Sequence, residues 1–216
     1  MPDTLGLIPA RGGSKGIARK NLAPVAGRPL LAWTVEAARR ASRLTRSVVS
    51  TDDDEIAAAA GIDVLRRPPE LASDDTPMAD VVRHAVDALR PEIVVVLQPT
   101  SPLRRGEHID AAVRLLLESG ADCVVSVVPV PHRYAPESLM DIRDGRVVPR
   151  GTARSRQAKE AVYARNGPAV LALRADRVGD DLYAGDCRPY VMDERDSLDV
   201  DTPFELELAD LLLRAR

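Results

Sequence analysis

The chain predicts an α/β fold, because short apolar runs of strand length alternate along it with longer amphipathic runs of helical period. Capping and turn residues stand at the ends of those runs, and no repeat or low-complexity linker interrupts them. Residues 4–8 come first, short and apolar as a buried parallel strand should be. A glycine-rich loop follows, then an amphipathic helix over 29–41 with Trp33 on its apolar, core-facing side. Strand 47–50 precedes helix 54–60, and helix 79–89, whose His84 reads as structural, precedes strand 93–97. Helix 109–118, strand 123–128 and strand 169–173 continue the alternation. The last helix, 203–213, starts at Pro203 after the capping residue Thr202. Only residues 129–166 break the rhythm, with clustered proline, glycine and charge and a small hairpin predicted around Asp144-Gly145.

Composition sets bounds on function. With 216 residues, 45% of them hydrophobic, the chain is long enough for one sizeable domain over 1–216 with its own core. A formal charge of −3 lacks the basic excess of a nucleic-acid binder. Cys123 and Cys187 have no metal-type spacing and read as reduced thiols. His84, His108 and His132 are scattered in the same way, with His132 in the proline-rich stretch a candidate to approach a substrate. No apolar run reaches membrane-spanning length and the N-terminus lacks a signal-type segment, so a cytoplasmic location is expected.

The loop after the first strand reads as a triphosphate cradle. Ile8-Pro9-Ala10-Arg11-Gly12-Gly13-Ser14-Lys15-Gly16-Ile17, closed by Arg19-Lys20-Asn21, mixes flexible glycines with cations. Glycines let a backbone fold tightly and aim its N–H groups at anionic oxygens, and the cations supply charge that a neutral ligand would not require. A P-loop is excluded, since the spacing before its Gly-Lys-Ser/Thr is missing, and so is the Gly-x-Gly-x-x-Gly dinucleotide fingerprint. Arg11 and Lys20 are the leading phosphate ligands; Lys15 and Arg19 either share that role or are solvated.

Three further segments carry chemistry. Asp199-Val200-Asp201 places two carboxylates on one face of an extended segment, which suits an oxygen-ligated Mg²⁺ or Mn²⁺ and also suits capping of the following helix. Gln98 to Arg104 lies just past a buried strand, where open α/β sheets place ligands. Gln98 can hydrogen-bond a sugar carboxylate or hydroxyl there, whereas Thr100 and Ser101 either face the ligand or close the proline turn. Arg67 can donate to the acceptor edge of a ligand, or be a solvated loop charge beside Arg66.

Taken together, these motifs resemble the acylneuraminate cytidylyltransferases, which activate sialic-acid-type sugars as CMP conjugates. The resemblance runs through the first loop, Ser50-Thr51-Asp52, Arg67-Pro68-Pro69-Glu70-Leu71-Ala72-Ser73-Asp74, Leu97-Gln98-Pro99-Thr100-Ser101-Pro102-Leu103-Arg104, Arg165-Asn166-Gly167 and Asp196-Ser197-Leu198-Asp199-Val200-Asp201-Thr202-Pro203, in order over essentially the whole chain. It implies a Rossmann-like, mixed and mostly parallel sheet flanked by helices. It also implies that Ala10, Arg11, Gly12, Gly13, Ser14, Lys15, Lys20, Asn21 and Arg67 bind CTP, with Arg11, Lys20 and Asp201 catalytic and Asp199 and Asp201 the metal pair. Gln98, Thr100, Ser101, Arg104, Arg156, Arg165 and Asn166 would face an acidic sugar, and 129–166 would be an arm reaching across a homodimer. The chain departs from the family at Asp75-Thr76-Pro77-Met78, which bears on the choice of CTP, and at Ser155 before Arg156 and Pro168 after Gly167, which puts most difference in the sugar pocket. The alternatives are the same fold acting on a sugar phosphate, phosphonate or cyclitol phosphate, and a non-catalytic nucleotide-sugar sensor.

Overall fold

The structure, a computed structural model, describes residues 1–14, 16–150 and 161–216. Its main sheet has β1 (Thr4–Pro9) inside, with β4 (Arg46–Thr51) and then β5 (Asp63–Arg66) on one side and β6 (Ile93–Val96) on the other. These four strands are parallel. Beyond β6 lies β11 (Leu171–Arg174), antiparallel to β6 and to β7 (Cys123–Pro129). Val127 of β7 pairs with Arg165 of β10 (Tyr163–Arg165) and with Val191 of β12 (Cys187–Val191), so those two strands lie on opposite edges of β7. The mixed, mostly parallel sheet flanked by helices is the predicted architecture.

Alternation of side chains across the pleat builds two apolar layers. Ile8, Val49, Ile93, Val95, Val124 and Ala172 face α1 (Leu30–Arg40), α2 (Asp54–Ala59) and α4 (Gly106–Ser119). Leu5, Leu7, Val48, Val94, Val96 and Leu171 face α3 (Met78–Leu89). A third cluster seats α5 (Pro203–Arg214) against Val25 and Leu30, beside the two-residue strands β2 (Pro24–Val25) and β3 (Arg28–Pro29). Trp33 belongs to that third cluster, partly buried, with its indole N–H donating to the Val25 carbonyl at 3.0 Å.

Every predicted helix and strand is present, with shifted ends. The α4 helix starts at Gly106, three residues early, because a Cβ there would stand 2.8 Å from the Arg40 backbone carbon and glycine alone lets α4 close on α1. His108 Nδ1 accepts the Arg105 N–H at 3.2 Å and caps this end in place of the usual hydroxyl or carboxylate. The predicted hairpin is β8 (Met140–Arg143) and β9 (Arg146–Pro149), turned by Asp144 and Gly145 at φ 51° and 71°. The short strands β5, β10 and β12 have no local signature; sheet pairing makes them. Cys123 and Cys187 face each other in register across β7 and β12 as free thiols, and burial pushes the Cys123 thiol up.

Candidate active site

Chain order reverses beside β1, since β4 follows on one side and β6 on the other, and the loops leaving the C-terminal ends of these strands part there. That divergence opens a cleft of about 410 Å³ lined by residues of the first loop, Arg67, Met78, Gln98, Thr100 and Asp201. The sequence-predicted Arg11, Gly13, Ser14, Lys20 and Asn21 all reach its wall. Four segments far apart in sequence thus meet at one opening.

The loop is shaped by close approach. A Cβ on Gly16 would lie 2.5 Å from the Asp201 carbonyl oxygen, and one on Gly12 would lie 2.7 Å from Asp53 Oδ2. Asn21 Nδ2 donates to the Arg11 carbonyl at 3.0 Å and ties the start of the loop to its end. Ala10 is buried, its N–H donating to the Ser50 carbonyl at 2.9 Å, so it anchors the loop to β4 instead of presenting a free donor. Arg19 does not line the cleft; it pairs with Asp53 at 3.4 Å and Glu55 at 3.0 Å at the start of α2. Lys15 and Arg156 lie outside the described residues.

Three donors of the first loop hold carboxylates. Arg11 forms an ion pair with Asp74. The Gly12 N–H donates to Asp52 Oδ1 at 3.0 Å. Lys20 Nζ donates to Asp201 Oδ1 at 2.8 Å and to the Val200 carbonyl at 3.0 Å. The site presents concentrated positive charge and satisfies it internally.

Arg67 is buried and fixed from below, its Nη2 donating to the Ser50 carbonyl at 2.9 Å and Nε to Ser50 Oγ at 3.2 Å. Burial lowers the pKa to about 10, against the opposing pull of Asp52, so the guanidinium remains charged near neutral pH. Opposite, Asp199 and Asp201 flank Val200, whose side chain is fully buried in the third cluster. Asp201 is open to solvent. Asp199 accepts a hydrogen bond from Thr100, and its Oδ1 is buried without a hydrogen-bond partner among the described residues. Burial raises the Asp199 pKa, and the neighbouring Asp201 charge adds to that.

Three predicted substrate contacts instead lie behind the cleft wall. Arg104 is fully buried, its Nη1 bridging the Gln98 carbonyl at 3.0 Å and the Ala169 carbonyl at 2.8 Å, and burial brings its pKa down to about 9. It therefore shapes the backbone that carries Gln98. Ser101 is buried beside Gly167. Asn166 spends its amide inside the protein: Oδ1 accepts from Ser126 Oγ at 2.6 Å and the Ala169 N–H at 3.3 Å, and Nδ2 donates to Ser197 Oγ at 2.9 Å. It thereby joins β7 to the segment leading to Asp199. Arg165 is exposed and stacks on Tyr183, 4.6 Å from the ring centroid.

The model of the family described as Cytidylyltransferase matches residues 5–207, nearly the whole chain. The chain belongs to this cytidylyltransferase family. It is 33% identical over 95% of its length to the N-acylneuraminate cytidylyltransferase of Escherichia coli, spanning 51% of that protein, or about half. It is 31% identical to the CMP-N,N'-diacetyllegionaminic acid synthase of Legionella pneumophila, covering 97% of this chain and 95% of that one. Among solved structures, CMP:2-keto-3-deoxy-manno-octonic acid synthetase complexed with CTP superposes with a TM-score of 0.78 at 16% identity, over 99% of both chains. That likeness supports the fold.

Sequence reasoning overlooked the two carboxylates set against the first loop, Asp52 and Asp74, and the seat that Ser50 provides for Arg67. Their signal was present in Ser50-Thr51-Asp52 directly after an apolar strand and in Asp74 at the end of the Arg67 segment. What it lacked was any local cue that they meet the first loop. The buried Asp196, which stands in the same motif as the Asp199–Asp201 pair, does not join it: it accepts from Arg105 at 3.0 Å and from Arg216 at 2.6 Å near His108, and so clamps the segment before Asp199 from outside the cleft.

Proposed function

We propose that this cytidylyltransferase condenses CTP with a sialic-acid-type nonulosonic acid, forming a CMP-sugar and releasing pyrophosphate. The observation that carries this reading is the convergence of Arg11, Lys20 and the glycine-rich backbone with Arg67, Gln98, Thr100 and Asp201 on one cleft. Arg11 and Lys20 hold the triphosphate and balance the charge that grows on the leaving pyrophosphate. Arg67 reads the cytosine edge from its buried seat. Gln98 hydrogen-bonds the sugar and holds its anomeric hydroxyl in line with the α-phosphorus, where the new O–P bond forms as the bond to the β-phosphate oxygen breaks.

Asp199 and Asp201 would hold a divalent cation, Mg²⁺ or Mn²⁺. The donor set fits: a buried carboxylate oxygen without a hydrogen-bond partner among the described residues and a solvent-open carboxylate two residues on, whose charge disfavours ionisation of Asp199. No group of three or more metal-type side chains occurs among the described residues, which leaves phosphate oxygens and water to complete an oxygen shell. Such an ion supplies Lewis-acid stabilisation of phosphoryl charge when bound.

The reading is tested by pyrophosphate release over CTP, UTP, ATP and GTP, each with nonulosonic acids, sugar phosphates, phosphonates and cyclitol phosphates. CTP with a nonulosonic acid is expected to give the highest kcat/KM. Greater turnover with a phosphorylated or phosphonate acceptor would overturn the sugar assignment, and no turnover with any pair would favour a sensor.

The homodimer belongs to the same reading. On the hairpin β8–β9, Ile142 pairs with Val147 and Met140 with Pro149, so these apolar residues share one face, and Ile142 is 80% exposed. An exposed apolar face of this kind marks an association surface. Residues 129–166 are proposed to complete the sugar site of a second copy. Light scattering at assay concentration should give a dimer, and mixing Arg11→Ala chains with Arg156→Ala chains should restore part of the activity, because mixed dimers then contain a site with both residues intact. A fully active monomer would refute the dimer; a dimer without complementation would refute the shared site.

A further inference from the structure

We propose that Asp74 is a latch: its carboxylate occupies Arg11 while the nucleotide site is empty, and the incoming triphosphate must displace it. This rests on the reading of Arg11 as a triphosphate ligand. Arg11 leaves the end of β1, whereas Asp74 belongs to the separate segment 67–77 that connects β5 to α3. Arg67 at the start of that segment and Met78 just beyond it line the cleft, so the Arg11–Asp74 ion pair ties the phosphate loop to the wall that carries the base-reading arginine. The bend carrying Asp74 is held locally, with Ser73 Oγ and Thr76 Oγ1 2.8 Å apart.

The pair is built to open. Its side chains are 29% and 36% exposed, and an ion pair that wet shifts an equilibrium only a few-fold. The contact is made through Arg11 Nη1, and a triphosphate that takes the same guanidinium edge cannot share it with the carboxylate. With the triphosphate in place, Asp74 would face several phosphate charges across the arginine it has lost, and that repulsion drives the segment outward. Asp201 and Asp52 hold neighbouring donors, but Asp201 belongs to the proposed metal pair and Asp52 lies beside Arg67, whereas Asp74 pairs with Arg11 itself.

The test is calorimetric binding of inorganic tripolyphosphate, which has neither base nor sugar, to wild type, Asp74→Asn, Arg11→Ala and the double variant, with thermal unfolding as the folding control. Asp74→Asn is expected to bind about three- to ten-fold tighter than wild type. Asp74→Glu, which keeps the charge, should bind like wild type, and the gain from Asp74→Asn should vanish in the Arg11→Ala background. Equal or weaker binding by Asp74→Asn overturns the latch, since a carboxylate that merely orients Arg11 would cost affinity when neutralised. A gain that persists without Arg11 also overturns it, as a general charge effect. If Arg11→Ala leaves tripolyphosphate binding unchanged, it is the role of Arg11 that fails; if it weakens binding while Asp74→Asn does not tighten it, the latch alone fails.

Discussion

Arg11→Ala and Lys20→Ala are each expected to lower turnover by roughly two to four orders of magnitude, because each removes a charge that matters more as negative charge grows on the departing pyrophosphate than in the bound substrate. Both residues line the cleft, where each is paired with a carboxylate. The two variants should differ in stability. Arg11 is a half-exposed loop residue, so its loss should leave unfolding nearly unchanged. Lys20 also donates to the Val200 carbonyl, so Lys20→Ala removes a tie on the segment carrying Asp201 and should lower the unfolding midpoint slightly. Pyrophosphate release and circular dichroism on the same samples check both. Near-normal turnover in either folded variant would refute the cradle.

Asp201→Asn is expected to abolish activity or raise the Mg²⁺ requirement sharply, and Asp199→Asn to do so less severely. The order follows from the geometry: Asp201 is open to the cleft, whereas Asp199 is partly committed to Thr100. EDTA should abolish wild-type activity, and added Mg²⁺ or Mn²⁺ should restore it. A Mg²⁺ titration of each variant measures the effect directly. Activity undiminished by EDTA, or wild-type titration curves in both variants, would refute the metal pair.

That the glycine-rich loop lines the cleft was legible from sequence because its parts are contiguous: an apolar strand, glycines where the backbone must pass within contact distance of Asp53 and Asp201, and cations interleaved among them. Asp199-Val200-Asp201 was legible for the same reason, since an apolar residue between two carboxylates shows which side is buried once the segment is extended. The alternating α/β pattern likewise needed only periodicity. Direction in three dimensions was not legible. Gln98 and Arg104 stand six residues apart in one proline-rich turn, yet one lines the cleft and the other is buried beneath it, because Arg104 is drawn inward to the Gln98 carbonyl and to the Ala169 carbonyl in the link between β10 and β11. Asn166 looked like a ligand residue and is a buried tie, since the pairing of β7 with β10 and β11 leaves its amide facing Ser126 and Ser197. Amino-acid sequence by itself determined which residue types are available and which lie on apolar or polar runs. Tertiary structure alone decided which charges meet, such as Asp74 with Arg11 across 63 positions of sequence, because a long-range ion pair leaves no periodic or local trace in the chain.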